Sequence, residues 1–223
     1  MAEKWIDNFD PFDWLTRYFS PRTLHLMIRG GIMIVLLVFL IHRIMTYQRY
    51  WFKPLWAAET LVFVIFLISY ATRTDPVSRS KGVREIVVPL VGSVLPFALL
   101  WSPPHPAVVR SMTLVNIIFV WMTAATFFTI WALWTIRRSF SITVEARELV
   151  VGGPYRLIRH PVYLGEVLTT CAVAVLRFSI LNIALLSLFA AIQLYRSRME
   201  ENKLANVYPG YRDFAARSLW FWT

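Results

Sequence analysis

The sequence predicts an all-α integral membrane protein of about five to six transmembrane or hairpin helices. Three observations carry that prediction. Charged residues make up 16% of the chain and hydrophobic ones 57%, with a mean hydropathy of +0.54; soluble domains carry about 25% charged residues. The apolar residues gather into runs, several of them near the ~20 residues a helix needs to cross a bilayer. The net charge of +10 falls in the segments between those runs. That is the distribution of the positive-inside bias and not of a nucleic-acid-binding face, so nucleic acid is not expected as a partner.

Taken in order, residues 1–23 do not read as a signal peptide, because Glu3, Asp7, Asp10 and Asp13 stand where a basic leader would be. Asp10-Pro11 has the chemistry of an N-cap and first helical residue. Phe12, Leu15 and Phe19 follow at helical spacing, which predicts a short helix in the membrane interface. The first span is expected at 24–45 and the second at 55–71, with Glu59 near its start. A carboxylate costs about 2.5–3.5 kcal/mol at mid-bilayer, so Glu59 should reach headgroups or a cation. After a loop carrying Arg73, Arg79, Lys81 and Arg84, a third span at 86–101 contains Pro89 and Pro96, and kinks are expected there. A fourth, long span is expected at 108–136, ended by Arg137-Arg138.

Residues 139–152 mix β-branched and charged side chains and read as an extended segment. A polar turn follows, Gly153-Pro-Tyr-Arg-Leu-Ile-Arg-His-Pro-Val-Tyr-Leu-Gly-Glu166, planted where the chain re-enters apolar sequence. Two short apolar segments, 162–175 and 180–195, are split by Arg177-Phe-Ser and predict a helical hairpin. The second continues into the polar stretch 196–206 and stops at Tyr208-Pro-Gly210; Trp220 and Trp222 read as interfacial anchors. Cation counting puts both termini in the cytoplasm, as expected of a multi-pass protein of a bacterial inner membrane. One domain is expected over 1–223, with an interfacial helix and four spans at 1–136 and the polar, ligand-binding half at 137–223. The single cysteine, Cys171, cannot form an internal disulfide, and the scattered His25, His42, His105 and His160 lack metal-ligand spacing.

The polar residues themselves point to a binding site. His160-Pro161 reads as a helix start whose free N–H groups can meet an anion. Tyr155 and Tyr163 can flank a ring or a cation. Arg196 and Glu200, four apart, share one helix face. No Gly-x-Gly-x-x-Gly turn is present, so a nucleotide-like ligand would not be held in the Rossmann manner.

Arg147-Glu-Leu-Val150, Gly153-Pro-Tyr155, Arg159-His-Pro-Val-Tyr163-Leu-Gly165 and Arg196-x-x-x-Glu200-Glu201 occur in this order over about residues 137–214. Together they resemble the isoprenylcysteine carboxyl methyltransferase family, part of a wider set of integral-membrane methyltransferases that includes phospholipid N-methyltransferases. The resemblance implies an S-adenosylmethionine site in the C-terminal half. It assigns cofactor contacts to Arg147, Glu148, Leu149, Val150, Tyr155, His160, Pro161, Val162, Tyr163 and Glu200. Arg196 would face the substrate, which would approach through the bilayer.

Methyl transfer needs alignment and a dry site more than acid–base machinery. A carboxylate acceptor is already a nucleophile and needs only Arg196 or Arg159 to place it. An amine or thiol must lose a proton, with Glu166 or His160 as base. Glu166 departs from the family pattern and is expected to be a base, a cation binder or an arginine partner. A lipophilic or lipid-linked carboxylate is favoured, with a phospholipid amine or a thiol possible, and no metal. Two other readings stand beside this one. One is an NADPH-dependent membrane reductase resembling the sterol reductases. The other is a non-catalytic binding or transport protein with Glu59 and Glu166 on its pathway.

Overall fold

A computed structural model describes residues 21–72, 77, 78, 80 and 82–222. The interfacial helix expected from Asp10 to Phe19 lies outside the described residues. The described chain is helical, with one extended stretch. Its main elements are α1 (Pro21–Met45), α2 (Lys53–Thr72), α3 (Gly82–Val94), α4 (Met112–Ile136), α5 (Pro161–Leu176), α6 (Ile180–Val207) and α7 (Tyr211–Arg217). Four helical stretches are long and apolar enough to cross a membrane: Lys53–Thr72, Arg84–Trp101, Met112–Ser139 and Ile180–Val207. Gly30–Met45 and α5 are apolar but shorter. This is an all-α integral membrane fold.

Local chemistry sets the helix ends. The expected fourth span at 108–136 is divided: Pro106–Val109 forms one separate turn, and α4 begins only at Met112. Ser111 is the reason. Its backbone is extended and its hydroxyl accepts from the Leu114 N–H, the geometry of an N-cap. Ser179 caps α6 in the same way through the Asn182 N–H. In the third span the α-helix runs through Pro89 and changes to a 3₁₀-helix over Leu95–Trp101, with Pro96 near its start. The irregularity expected from the two prolines is thus placed at the second. The polar stretch 196–206 does extend the last long helix, up to Val207. The turn Tyr208–Gly210 then leads into α7, which the sequence reading did not anticipate.

Small residues bring the helices together. α4 packs on α5 and α2, and α6 on α3 and α5. Ala125, Ala132, Ala172 and Ala174 are buried, as at membrane helix interfaces, where close approach replaces the missing hydrophobic drive. At Gly165 of α5 a Cβ would lie 2.1 Å from Thr129 Oγ1 of α4, so only glycine allows this approach. The Thr129 hydroxyl is turned back to the Ala125 carbonyl (3.0 Å).

Residues 140–152 run without helix along one end of the bundle. Ala146 and Ser78 exchange backbone hydrogen bonds, the Ser80 hydroxyl donates to the Val144 carbonyl (2.9 Å), and Lys203 of α6 pairs with Glu85 of α3. Ser78, Ser80 and Glu85 therefore meet the segments 140–160 and 196–222 at one end. At the other, Arg43 of α1 pairs with Glu59 of α2 at 2.8 Å. The Glu59 carboxylate has found its cation in the adjacent helix.

Candidate cofactor cleft

An open cleft with about 820 Å³ of empty space, its mouth included, lies at the end where the polar segments meet. Its walls come from the end of α4, the stretch 139–150, the turn before α5, and the C-terminal part of α6 with α7. Gly153 shapes one wall. Its φ of +56° is left-handed, and a Cβ there would approach Thr135 Oγ1 to 2.8 Å. The turn can therefore lie against α4, and it buries Pro154 and Tyr155. Burial, then the nearby Glu200 and Glu166 carboxylates, push the Tyr155 phenol well above its ordinary range. It stays neutral.

α5 starts at Pro161, as the sequence indicated, with His160 preceding it. The His160 ring stacks on Tyr163 (5.5 Å between centroids, 3° between planes) and leans on Trp220 at 5.0 Å. Its Nε2 lies 2.9 Å from Glu201 Oε1. A carboxylate only accepts, so Nε2 carries the proton. Glu201 also receives Arg159 Nη1 at 3.1 Å and Trp222 Nε1 at 2.6 Å. The Tyr163 hydroxyl donates to Glu200. The end of the last long helix thus folds against the 153–166 turn.

Nine of the ten residues assigned to the cofactor line the cleft: Arg147, Glu148, Leu149, Val150, Tyr155, His160, Val162, Tyr163 and Glu200. Pro161 does not. It is fully buried as the first residue of α5, and its part is to start the helix. The three residues given chemical roles separate. Arg159 lines the cleft, but its guanidinium is bound to Glu201 and to the Trp222 carbonyl. Arg196 and Glu166 do not line it and lie beneath Tyr163, toward the apolar part of the bundle. Arg196 does not pair with Glu200 four residues on. It donates to Gln193 (2.9 Å) and the Ile142 carbonyl (3.1 Å) and packs over the Tyr163 ring at 4.7 Å. Glu166 accepts from Gln193.

Several cleft residues escaped the sequence reading. Glu145 holds the buried Arg147 (2.6 Å), and its signal was its place two residues away in an extended segment. Tyr211 and Phe214 reach the cleft from α7, and their three-residue spacing could have flagged that helix. Burial, and then the Glu201 charge, raise the Tyr211 phenol well above its usual range. Trp220 and Trp222 are not membrane anchors. Their indoles donate inward, to Ser197 (3.0 Å) and to Glu201. The chain after α7 pairs Leu219 with Leu157 and Arg159 and straps the motif from outside.

These features define an integral membrane protein whose polar cleft opens at one end of a helical bundle. Residues 113–206 match the model of the Isoprenylcysteine carboxyl methyltransferase (ICMT) family. That stretch runs from the start of α4 to the end of α6, and over it the chain is similar to the family that its motifs resemble. No curated protein matches the chain.

Proposed function

We propose that the protein transfers a methyl group from S-adenosylmethionine to a lipophilic acceptor, a carboxylate in the first instance. The observation that carries this reading is the convergence of two distant segments. Tyr155, His160 and Tyr163 meet Glu200 around one open cleft, directly above the buried Arg196. The residues present fit the cofactor. Glu200 offers a carboxylate to its ammonium group, and Tyr155 and Tyr163 offer ring faces to a cation or an adenine. An attraction of that kind is worth about 0.5–2 kcal/mol. The open mouth admits a water-soluble molecule. When bound, the cofactor supplies an electrophilic methyl on a sulfonium.

The chain's own part is placement. Tyr163 holds Glu200 in position. His160 and Arg159 hold Glu201, which keeps the turn before α5 docked on α6. Arg196, buried between α5 and α6, is the cation available to orient an anionic acceptor arriving through the bilayer. A carboxylate needs no deprotonation, so no base is required for it. The cleft end carries Arg137, Arg138, Arg156, Arg198, Arg212 and Arg217, and the positive-inside bias then sets it on the cytoplasmic side.

Titration calorimetry of the purified protein with S-adenosylhomocysteine tests this reading. Wild type is expected to bind. Glu200→Ala and His160→Ala should each weaken binding at least ~10-fold, about 1.4 kcal/mol. Absence of binding by wild type, or full affinity in both variants, would sink it.

A further inference from the structure

Beneath the cleft a chain of polar side chains links α5 to α6: Glu166, Gln193, Arg196, Tyr163, Glu200. Gln193 sits in its middle and is buried. Its two amide atoms face opposite partners. The oxygen accepts from Arg196 Nη1 at 2.9 Å, and the nitrogen donates to Glu166 Oε2. Guanidinium only donates and carboxylate only accepts, so the amide has one possible orientation. It acts as a neutral spacer. Glu166 stabilises the Arg196 cation from one residue away without bonding to it.

The consequence lies in what Arg196 keeps. Its direct partners are an amide oxygen, a backbone carbonyl and the Tyr163 ring, none of them charged. Its Nε is buried without a partner. A buried donor left unmade is costly, so the arrangement holds a cation with binding capacity in reserve. A direct Glu166–Arg196 pair would have spent that capacity, since carboxylates take guanidinium in two-point fashion. The helix α3 closes the other side: Gly92 lets it approach so that a Cβ there would lie 3.7 Å from Arg196 Nη1.

The geometry points to Gln193 and Glu166 as positioning residues of the acceptor site, which fix the Arg196 guanidinium under Tyr163 and keep it free for an anionic acceptor. This rests on the methyl-transfer reading above. It assigns Glu166 to arginine placement through a hydrogen bond and not to proton abstraction, and the two roles differ in what Glu166→Gln does. Gln at 166 can still accept from Gln193 but cannot act as a base.

Membranes containing each variant, incubated with methyl-labelled S-adenosylmethionine, are assayed for labelled lipid. The purified variants are assayed for S-adenosylhomocysteine affinity and thermal midpoint. Gln193→Met keeps side-chain length and removes both bonds. It should lower transfer at least ~10-fold (about 1.4 kcal/mol) with cofactor affinity within ~3-fold. Glu166→Ala should lose transfer similarly, and Glu166→Gln should restore it to within ~3-fold of wild type. Transfer unchanged in Gln193→Met, or Glu166→Gln as inactive as Glu166→Ala, overturns the inference while leaving the methyltransferase reading intact. Wild type that neither binds S-adenosylhomocysteine nor labels lipid overturns that reading and the inference with it. Should Gln193→Met not fold, the two Glu166 variants decide the question alone.

Discussion

Two helix pairs in this molecule each set an arginine and a carboxylate facing one another in apolar surroundings, and they do it differently. Between α1 and α2, Arg43 and Glu59 form a closed pair. The guanidinium also donates to Thr60 Oγ1 and to the Trp56 carbonyl, both at 3.3 Å, and Trp56 Nε1 returns a bond to the Arg43 carbonyl at 3.1 Å. Between α5 and α6 the charges are distributed over Arg159, His160, Glu166, Arg196, Glu200 and Glu201, and outside segments supply some of the partners. There Arg159 Nε and Arg196 Nε are buried with no acceptor. A closed pair fastens two helices. A network with donors in reserve, beside a cleft, is what a binding site requires.

The largest effect should come from breaking the second network at its most shared member. Glu201 accepts from Arg159, His160 and Trp222. Glu201→Ala leaves the Arg159 cation buried without its counter-charge, a change that typically costs about 3–5 kcal/mol. The strap after α7 loses its Trp222 bond at the same time. The thermal midpoint in detergent should fall steeply, and cofactor affinity with it. A midpoint near wild type would mean that the strap, not Glu201, holds the turn before α5.

Breaking the first pair should do less and stay local. Glu59 is partly exposed, so its loss leaves Arg43 able to reach solvent or headgroups. Glu59→Ala is expected to cost about 1–2 kcal/mol and to leave S-adenosylhomocysteine affinity within ~3-fold of wild type. A large loss of affinity would show that the α1–α2 pair is coupled to the cleft through α4, and the contrast between the two regions would fail.

The contrast was only partly legible in the sequence. Most spans and some helix ends followed from local signals, such as Pro161 starting α5 and Tyr208-Pro-Gly210 ending α6, whereas the cleft residues came from the resemblance to a family. Such signals act within a few residues and survive without tertiary context. Pairing did not follow, because it depends on which faces meet. Arg196 and Glu200 have the spacing of an ion pair, yet Tyr163 of the neighbouring helix lies between them and takes both, one on its ring and one through its hydroxyl. Gln193 carries no charge and drew no notice until α5 placed Glu166 opposite it. The partners of the basic residues between α1 and α2 were not legible either: Arg43 is neutralised by Glu59, and Lys53 lies over the Tyr47 ring at 3.8 Å. Trp220 and Trp222 have the composition of interfacial anchors, and only the return of the chain to Leu157 turns them inward.

The smallest effect is a pH dependence confined to the C-terminal half, and its sign follows from Tyr155. Burial and the Glu200 and Glu166 charges raise its phenol above the ordinary value of 10.0. The folded state therefore keeps the proton in a range where the unfolded chain gives it up. Below that ordinary value both states are protonated and pH has no effect through this group. Above about pH 10 the unfolded state binds fewer protons than the folded one, so stability falls as pH rises, by up to ~1.4 kcal/mol per unit. Tyr155→Phe removes the ionisation and should flatten that part of the decline, whereas Glu59→Gln in the α1–α2 pair should leave it as in wild type. The comparison is read from thermal midpoints between pH 8 and 11, chosen to bracket the ordinary phenol value of about 10. Equal slopes in wild type and Tyr155→Phe would place the phenol in open solvent at the mouth of the cleft, not in the wall that the left-handed turn at Gly153 builds against α4.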